Sequence, residues 1–195
     1  MKKPVKIVLG ALAAIVLGSA IGIGSALLTV KIGFSFGAVK NGPWQTNPTM
    51  GSRQASIYTR AIVAVHGLFA LNQSETIYYS AMTDDSGQWF GGDNVYRIEG
   101  KALEARWWSI TVYGVDNFLI PNDLNRYSYS GNSVTYDRNG KFTIYLSKTP
   151  KPGNWLPLGD RRRFLLSLRL YNPGESIRRD LATVELPHII KEGGK

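Results

Sequence analysis

The stretch RFLLSLRLY, residues 163–171, divides cleanly by parity. Phe164, Leu166, Leu168 and Leu170 form one wholly apolar set, and Leu165, Ser167, Arg169 and Tyr171 form a mixed one. Side chains alternate across a β-strand, so one set enters a core and the other does not. Arg169 therefore shares a face with Tyr171. A charge in so apolar a strand is expected to find a carboxylate or carbonyls, because an unpaired buried charge is costly. ARWWSITVYG, residues 105–114, repeats the pattern. Trp108, Ile110 and Val112 make its apolar face, and Trp107, Ser109, Thr111 and Tyr113 its mixed one.

Working outward, strand-like runs recur: TIYYSAM (76–82), NVYRIEG (94–100) and TVELPHII (183–190). SVTYDRNGKFTIYLS (133–147) reads as a hairpin turning at Asn139-Gly140. Seven or so short strands rich in Tyr, Trp, Ile and Val predict a mainly β domain, a sandwich or barrel rather than βαβ units. No internal repeat is present.

The N-terminus is different in kind. After three lysines, Lys2, Lys3 and Lys6, a run of 24 residues from Ile7 to Val30 is uncharged. As a helix it is about 36 Å long at about 1.5 Å per residue. A hydrocarbon core is about 30 Å thick, so the run predicts a single transmembrane helix seated in a lipid bilayer. A cleaved signal peptide has an apolar region of about 7–15 residues ending in an A-x-A-like site. Gly24–Ala26 fits that site poorly and LLTV continues past it. With no cysteine in the chain, a lipid-acylated thiol anchor is excluded. The basic flank predicts a cytoplasmic N-terminus, an inner-membrane location and a periplasmic or otherwise extracytoplasmic C-terminal domain.

The expected organisation is an N-terminus and anchor over 1–32, a Gly/Pro-rich linker over 33–51 and a β-domain over 52–195. Ser52 reads as the N-cap of one amphipathic helix, with Ile57, Ala61, Ala64, Val65, Leu68 and Phe69 on its apolar stripe. His66 lies at the edge of that stripe. With only two histidines and no cysteine, no metal site is expected, and no cofactor either. Gly22-Ile23-Gly24 and the Gly37–Gly42 spacing imitate nucleotide-binding glycines, but neither has the required context.

The formal net charge of +9 falls to +4 over residues 41–195, which hold 18 Lys and Arg and all 14 acidic residues. Nucleic acid is not an expected partner for an exported domain. Arg161–Arg163 form a solvated basic run or a contact for anionic envelope polymers.

The polar residues concentrate in YGVDNFLIPNDLNRYSYSG, residues 113–131. Asn and Asp hydrogen-bond their own backbone in turns, so Asn122 and its neighbours read first as a stapled crossover. If they form a site, it is where Asn122, Asp123, Arg126, Asn154 and Arg169 meet Trp107, Trp155 and Tyr171. Arginine forks suit carboxylates, and aromatic faces suit sugar rings. No G-x-S-x-G motif is present, and nothing orients Ser109 or Ser128 toward His66. Asp116, Asp123, Asp160, Glu99 and Glu104 are candidates for a glycosidase pair, without a spacing that selects two of them.

Four blocks carry a family resemblance: Trp108, Ser109, Thr111 and Tyr113; Asn122, Arg126, Tyr127 and Ser128; Asn154, Trp155, Leu156 and Pro157; and Arg169, Leu170, Tyr171 and Pro173. Together they resemble the family catalogued as domain of unknown function 1214, over about residues 52–190. YTRAIVAVHGLFALNQSETIYY is similar to its short, membrane-anchored branch. The resemblance implies a jelly-roll-like β-sandwich, here with one amphipathic helix and a transmembrane helix before it. It also implies that a companion domain, numbered 1254, is replaced by the anchor, and hence a separate partner chain. The family brings no established activity. The functional expectation is a membrane-anchored binding or interaction module of the cell envelope, with an envelope glycan or small acidic molecule as ligand. Alternatives are an envelope hydrolase or lyase on such a substrate, and an anchor subunit for the partner chain.

Overall fold

The computed structural model describes residues 3–32, 37–65 and 70–193. A 30-residue helix, α1 (Lys3–Ile32), is followed by β1 (Val39–Asn41), β2 (Trp44–Thr46) and α2 (Ile57–Val65). Then come β3 (Thr76–Ala81), β4 (Val95–Lys101), β5 (Ala105–Gly114), β6 (Ser128–Ser130), β7 (Lys141–Ser147) and β8 (Asn154–Pro157). The chain ends with β9 (Phe164–Pro173), α3 (Glu175–Arg179) and β10 (His188–Glu192). The strands make two sheets, one in the order β1-β2-β3-β9-β5-β6 and one in the order β10-β4-β7-β8.

The parity of the two long strands decides how the sheets face. Leu166, Leu168 and Leu170 of β9, and Trp108, Ile110 and Val112 of β5, turn inward. They meet Tyr96 and Ile98 of β4, Phe142, Ile144 and Leu146 of β7, Leu156 of β8 and Ile189 of β10. One apolar layer thus fills the space between two mainly antiparallel sheets, as a sandwich requires. At one end Phe90 stacks on Phe164, with centroids 4.7 Å apart, and Tyr96 meets both rings edge-on.

The stretch Pro4–Thr29 of α1 has a mean hydropathy of 2.4 and no fully buried residue among its described side chains. By length and composition it is fit for a membrane span or a signal sequence. Part of the expected linker is sheet instead. β1 and β2 form a hairpin on the edge of β3, and Trp44 is buried with its indole N–H donating to the Pro187 carbonyl at 2.7 Å. Gly42 and Pro43 were linker signals locally, yet they serve as the turn of that hairpin.

α2 also departs from expectation. Its cap is Ser56, whose Oγ accepts the Thr59 amide at 3.1 Å, while Ser52 caps only a preceding turn. Ile62 is buried, whereas Ile57 and Val65 are exposed. His66, Leu68 and Phe69 lie outside the described residues.

The expected hairpin over 133–147 keeps its turn but loses one arm. Gly140, at φ +71°, closes the turn, and Asp137 Oδ1 accepts the Asn139 and Lys141 amides at 2.8 Å. Only Tyr136 and Phe142 then pair. The two edges of β7 go to β4 and, in parallel, to β8.

Candidate functional site

The mixed faces of β3, β9 and β5 all point away from the core, and their registers assemble one outer surface. Tyr78, Arg169, Ser109 and Ser130 form a row across four strands. Ser80, Ser167, Thr111 and Ser128 form the next. Trp107 pairs with Tyr171 on one side of these rows, and Tyr113 with Leu165 on the other. Arg169 Nη2 donates to the Tyr113 hydroxyl at 2.8 Å, and its guanidinium carbon sits 5.5 Å from the Tyr113 ring centroid. The two side chains therefore meet across the Ser167–Thr111 pair, and Ser109, Thr111 and Ser167 are buried. Trp107 remains 38% exposed, with its ring edge-on to Tyr171 at 5.3 Å.

Neither the carboxylate nor the carbonyls expected for Arg169 contact it among the described residues. Among the described residues its hydrogen-bonding partner is the Tyr113 hydroxyl, and no ion pair reaches it. Arg169 is half-buried rather than enclosed, and the ring face of Tyr113 helps hold its charge.

The polar crossover is a separate assembly on the β6–β8 side. Asn122 Nδ2 donates to the carbonyls of Ile120 at 3.1 Å and Arg126 at 3.0 Å, and its Oδ1 accepts the Arg126 amide at 3.1 Å. Asn117 and Asn125 take left-handed backbone, which asparagine tolerates best after glycine. Arg126 donates Nη1 to the Trp155 carbonyl at 3.3 Å and lies 5.9 Å from the Tyr129 ring centroid. The Trp155 amide donates to the Tyr129 hydroxyl at 3.2 Å. Asn154 is buried, with three bonds to the backbone of Thr135 and Thr143 at 2.8–3.0 Å.

The Trp155 indole is buried and donates to Ser147, and Leu156 packs in the main core cluster. Asp123 is exposed. Asp116 pairs with Arg161 at 2.9 Å. Its carboxyl is held below the usual range by the Phe118 amide first and then by Arg161. Of the eight expected site residues, Asn122, Arg126, Asn154 and Trp155 thus join around β8, while Arg169, Trp107 and Tyr171 belong to the outer face of the large sheet.

A cleft of about 460 Å³ lies elsewhere, between the end of β4 and the segment from α3 to β10. Glu99, Glu104, Asp180 and Glu185 line it with Lys101 and His188. These side chains are locally engaged: Glu99 with Arg97, Glu185 with Lys101, Glu104 with Ser176 and His188 with Asp85. The Thr183 hydroxyl and then the Ala182 amide lower the pKa of Asp180. Among the described residues no group of His, Asp and Glu could hold a metal ion.

Against known proteins, the family described as protein of unknown function (DUF1214) matches residues 75–175, more than half of the chain. The chain belongs to the DUF1214 family. The matched span runs from the start of β3 through β9, so both the Arg169 face and the crossover are family regions, while β1, β2 and β10 lie beyond it. No curated protein matches.

The crystal structure of the VPA0106 protein from Vibrio parahaemolyticus has 24% identity and a TM-score of 0.62. The match covers 90% of this chain and 44% of that one. That likeness shows the fold. This DUF1214 chain therefore spans less than half the length of the Vibrio protein. An uncharacterized protein from Burkholderia cenocepacia matches over 60% of this chain and 29% of its own, at 14% identity and a TM-score of 0.43.

Sequence reasoning grouped Arg169 with Tyr171 and Trp107 with Tyr113 but missed that Tyr113 holds Arg169. The signal was available in part, since both residues sit on mixed faces. The register that brings them together is set by the β5–β9 pairing, which no local pattern encodes.

Proposed function

We propose that this DUF1214 protein is a membrane-anchored binding module whose outer sheet face takes an anionic glycan or small acidic ligand. The observation that carries this reading is Arg169. Its guanidinium is held against the Tyr113 ring and makes one hydrogen bond among the described residues, which leaves donors for a planar, bidentate partner such as a carboxylate. Trp107 and Tyr171 beside it offer the aromatic edges and faces on which sugar rings pack. The rows of the outer face contain no carboxylate of their own, so the arrangement favours binding over acid–base hydrolysis at this place. The apolar length of α1 and the three lysines near its start support an inner-membrane anchor with the sandwich on the outer side.

The test is calorimetric titration of the full chain in micelles with uronate-bearing and phosphate-bearing oligosaccharides and their neutral counterparts. Wild type binds the anionic forms and not the neutral ones. Arg169→Ala weakens binding by about tenfold or more, the loss expected for a charge-assisted hydrogen bond, and Trp107→Ala weakens it as well. Arg126→Ala keeps the affinity. Unchanged binding by Arg169→Ala with loss by Arg126→Ala moves the site to the crossover. No binding by wild type defeats the proposal.

A further inference from the structure

α2 presents its apolar residues the wrong way round for a helix on a soluble domain. At 3.6 residues per turn, Ile57, Ala61, Ala64 and Val65 share one side with Tyr58 at its margin. Ile57 is 75% exposed, Val65 66%, and Tyr58 and Ala64 are exposed too. Ile62, about 60° beyond Val65 around the helix, is the buried residue. Surface helices normally bury the apolar side and expose the polar one.

A second observation says what covers this side. α2 packs against α1. Along the described side chains of α1, only Ala26 and Thr29 are half-buried, and both stand in its last turns. The stretch Pro4–Thr29 has 26 residues and is about 39 Å long at about 1.5 Å per residue. That exceeds a hydrocarbon core of about 30 Å. The other described side chains of the span are exposed, so the packing of α2 on α1 falls at this end, where the span leaves the acyl chains and enters the headgroups. Arg60 lies at the edge of the apolar side, its guanidinium turned back onto the carbonyls of Ala55 and Arg53 at 3.1 and 2.9 Å. Nothing charged interrupts the apolar side itself.

We infer that α2 is an interfacial helix. Its Ile57–Ala64–Val65 side is seated at the boundary between headgroups and acyl chains of the bilayer that α1 crosses, with the Tyr58 phenol at headgroup level. This rests on the membrane anchor of the preceding section. The sandwich is then held at two points, by the span and by α2, and does not swing on a free tether.

The chain has no cysteine, so single-cysteine variants carry one label each. Ile15→Cys, Ile57→Cys, Val65→Cys and Phe118→Cys are labelled with an environment-sensitive fluorophore. The full chain is then reconstituted in phosphatidylethanolamine–phosphatidylglycerol vesicles with spin-labelled lipid, quenching either near the headgroup or at the chain end. Phe118 is apolar and 72% exposed like the α2 residues, but its loop follows the far end of β5, and so it controls for exposure alone. The expected result is headgroup-depth quenching at 57 and 65, chain-end quenching at 15 and none at 118. Quenching at 15 with 57 and 65 as unquenched as 118 overturns the inference and leaves the span intact. Equal quenching at 57, 65 and 118 overturns it as well. No quenching at 15 removes the anchor, and the inference with it.

Discussion

Tyr79 lies on the inner face of β3, and its hydroxyl donates to the Leu181 carbonyl at 2.9 Å. Burial first, and the nearby Asp180 charge second, raise its pKa well above the ordinary value of 10. In the unfolded chain the phenol returns to that ordinary value. The folded state therefore holds the proton more tightly, and this stabilisation is complete below about pH 10 and is lost as the pH rises above it. Each pH unit in that window removes up to about 1.4 kcal/mol per proton. Tyr79→Phe is expected to cost about 1 kcal/mol at neutral pH, through the lost hydrogen bond. It should also flatten the alkaline limb of urea midpoints measured between about pH 8 and 11. Tyr136, also raised by burial, keeps a residual slope. A variant whose alkaline limb runs parallel to wild type refutes the assignment.

β8 is an edge strand, bonded in parallel to β7 on one side only. Exposed edges leave amides and carbonyls open to other chains. Here Arg126 and Tyr129 take the Trp155 carbonyl and amide, so side chains from the crossover and β6 close the seam of the small sheet. Because the two side chains also stack, at 5.9 Å, their contributions are coupled. Arg126→Ala and Tyr129→Phe should each cost about 1 kcal/mol. The double variant should depart from additivity by about 0.5 kcal/mol or more in a urea double-mutant cycle. Strict additivity would mean that each residue acts alone. The same element shows what local sequence leaves open. The polarity of NWLP fitted a staple, but that all four residues of so short a strand are buried follows from the segments packed over it.

For the whole molecule, the domain boundary is the element most changed by folding. Asn41 donates to the carbonyls of Leu181 and Val184, and Trp44 to that of Pro187. The β1–β2 hairpin thus ties the C-terminal segment to the edge of β3. A chain starting at Gly37 should melt as the full domain does. One starting at Ser52 loses the buried Trp44, a change on the order of 3–5 kcal/mol. At about 2–4 °C per kcal/mol for a domain of this size, its melting temperature should fall by roughly 10 °C. Circular dichroism melts of the two chains decide the matter, and equal melting temperatures would place the hairpin outside the folding unit.

The sequence by itself determined the two faces of each long strand, the apolar N-terminal helix and the family. These are local properties: a period of two, an uncharged run, and motifs read along one segment. Tertiary structure decided which strands are neighbours and therefore which side chains meet. β7 abandons its local hairpin because β4 and β8 offer longer ladders within a shared core. Arg169 finds Tyr113 and not a carboxylate because β9 and β5 pair in a register that puts them two rows apart. Partner choice of this kind is settled by the summed burial and hydrogen bonding of distant segments, and no single stretch of chain contains that sum.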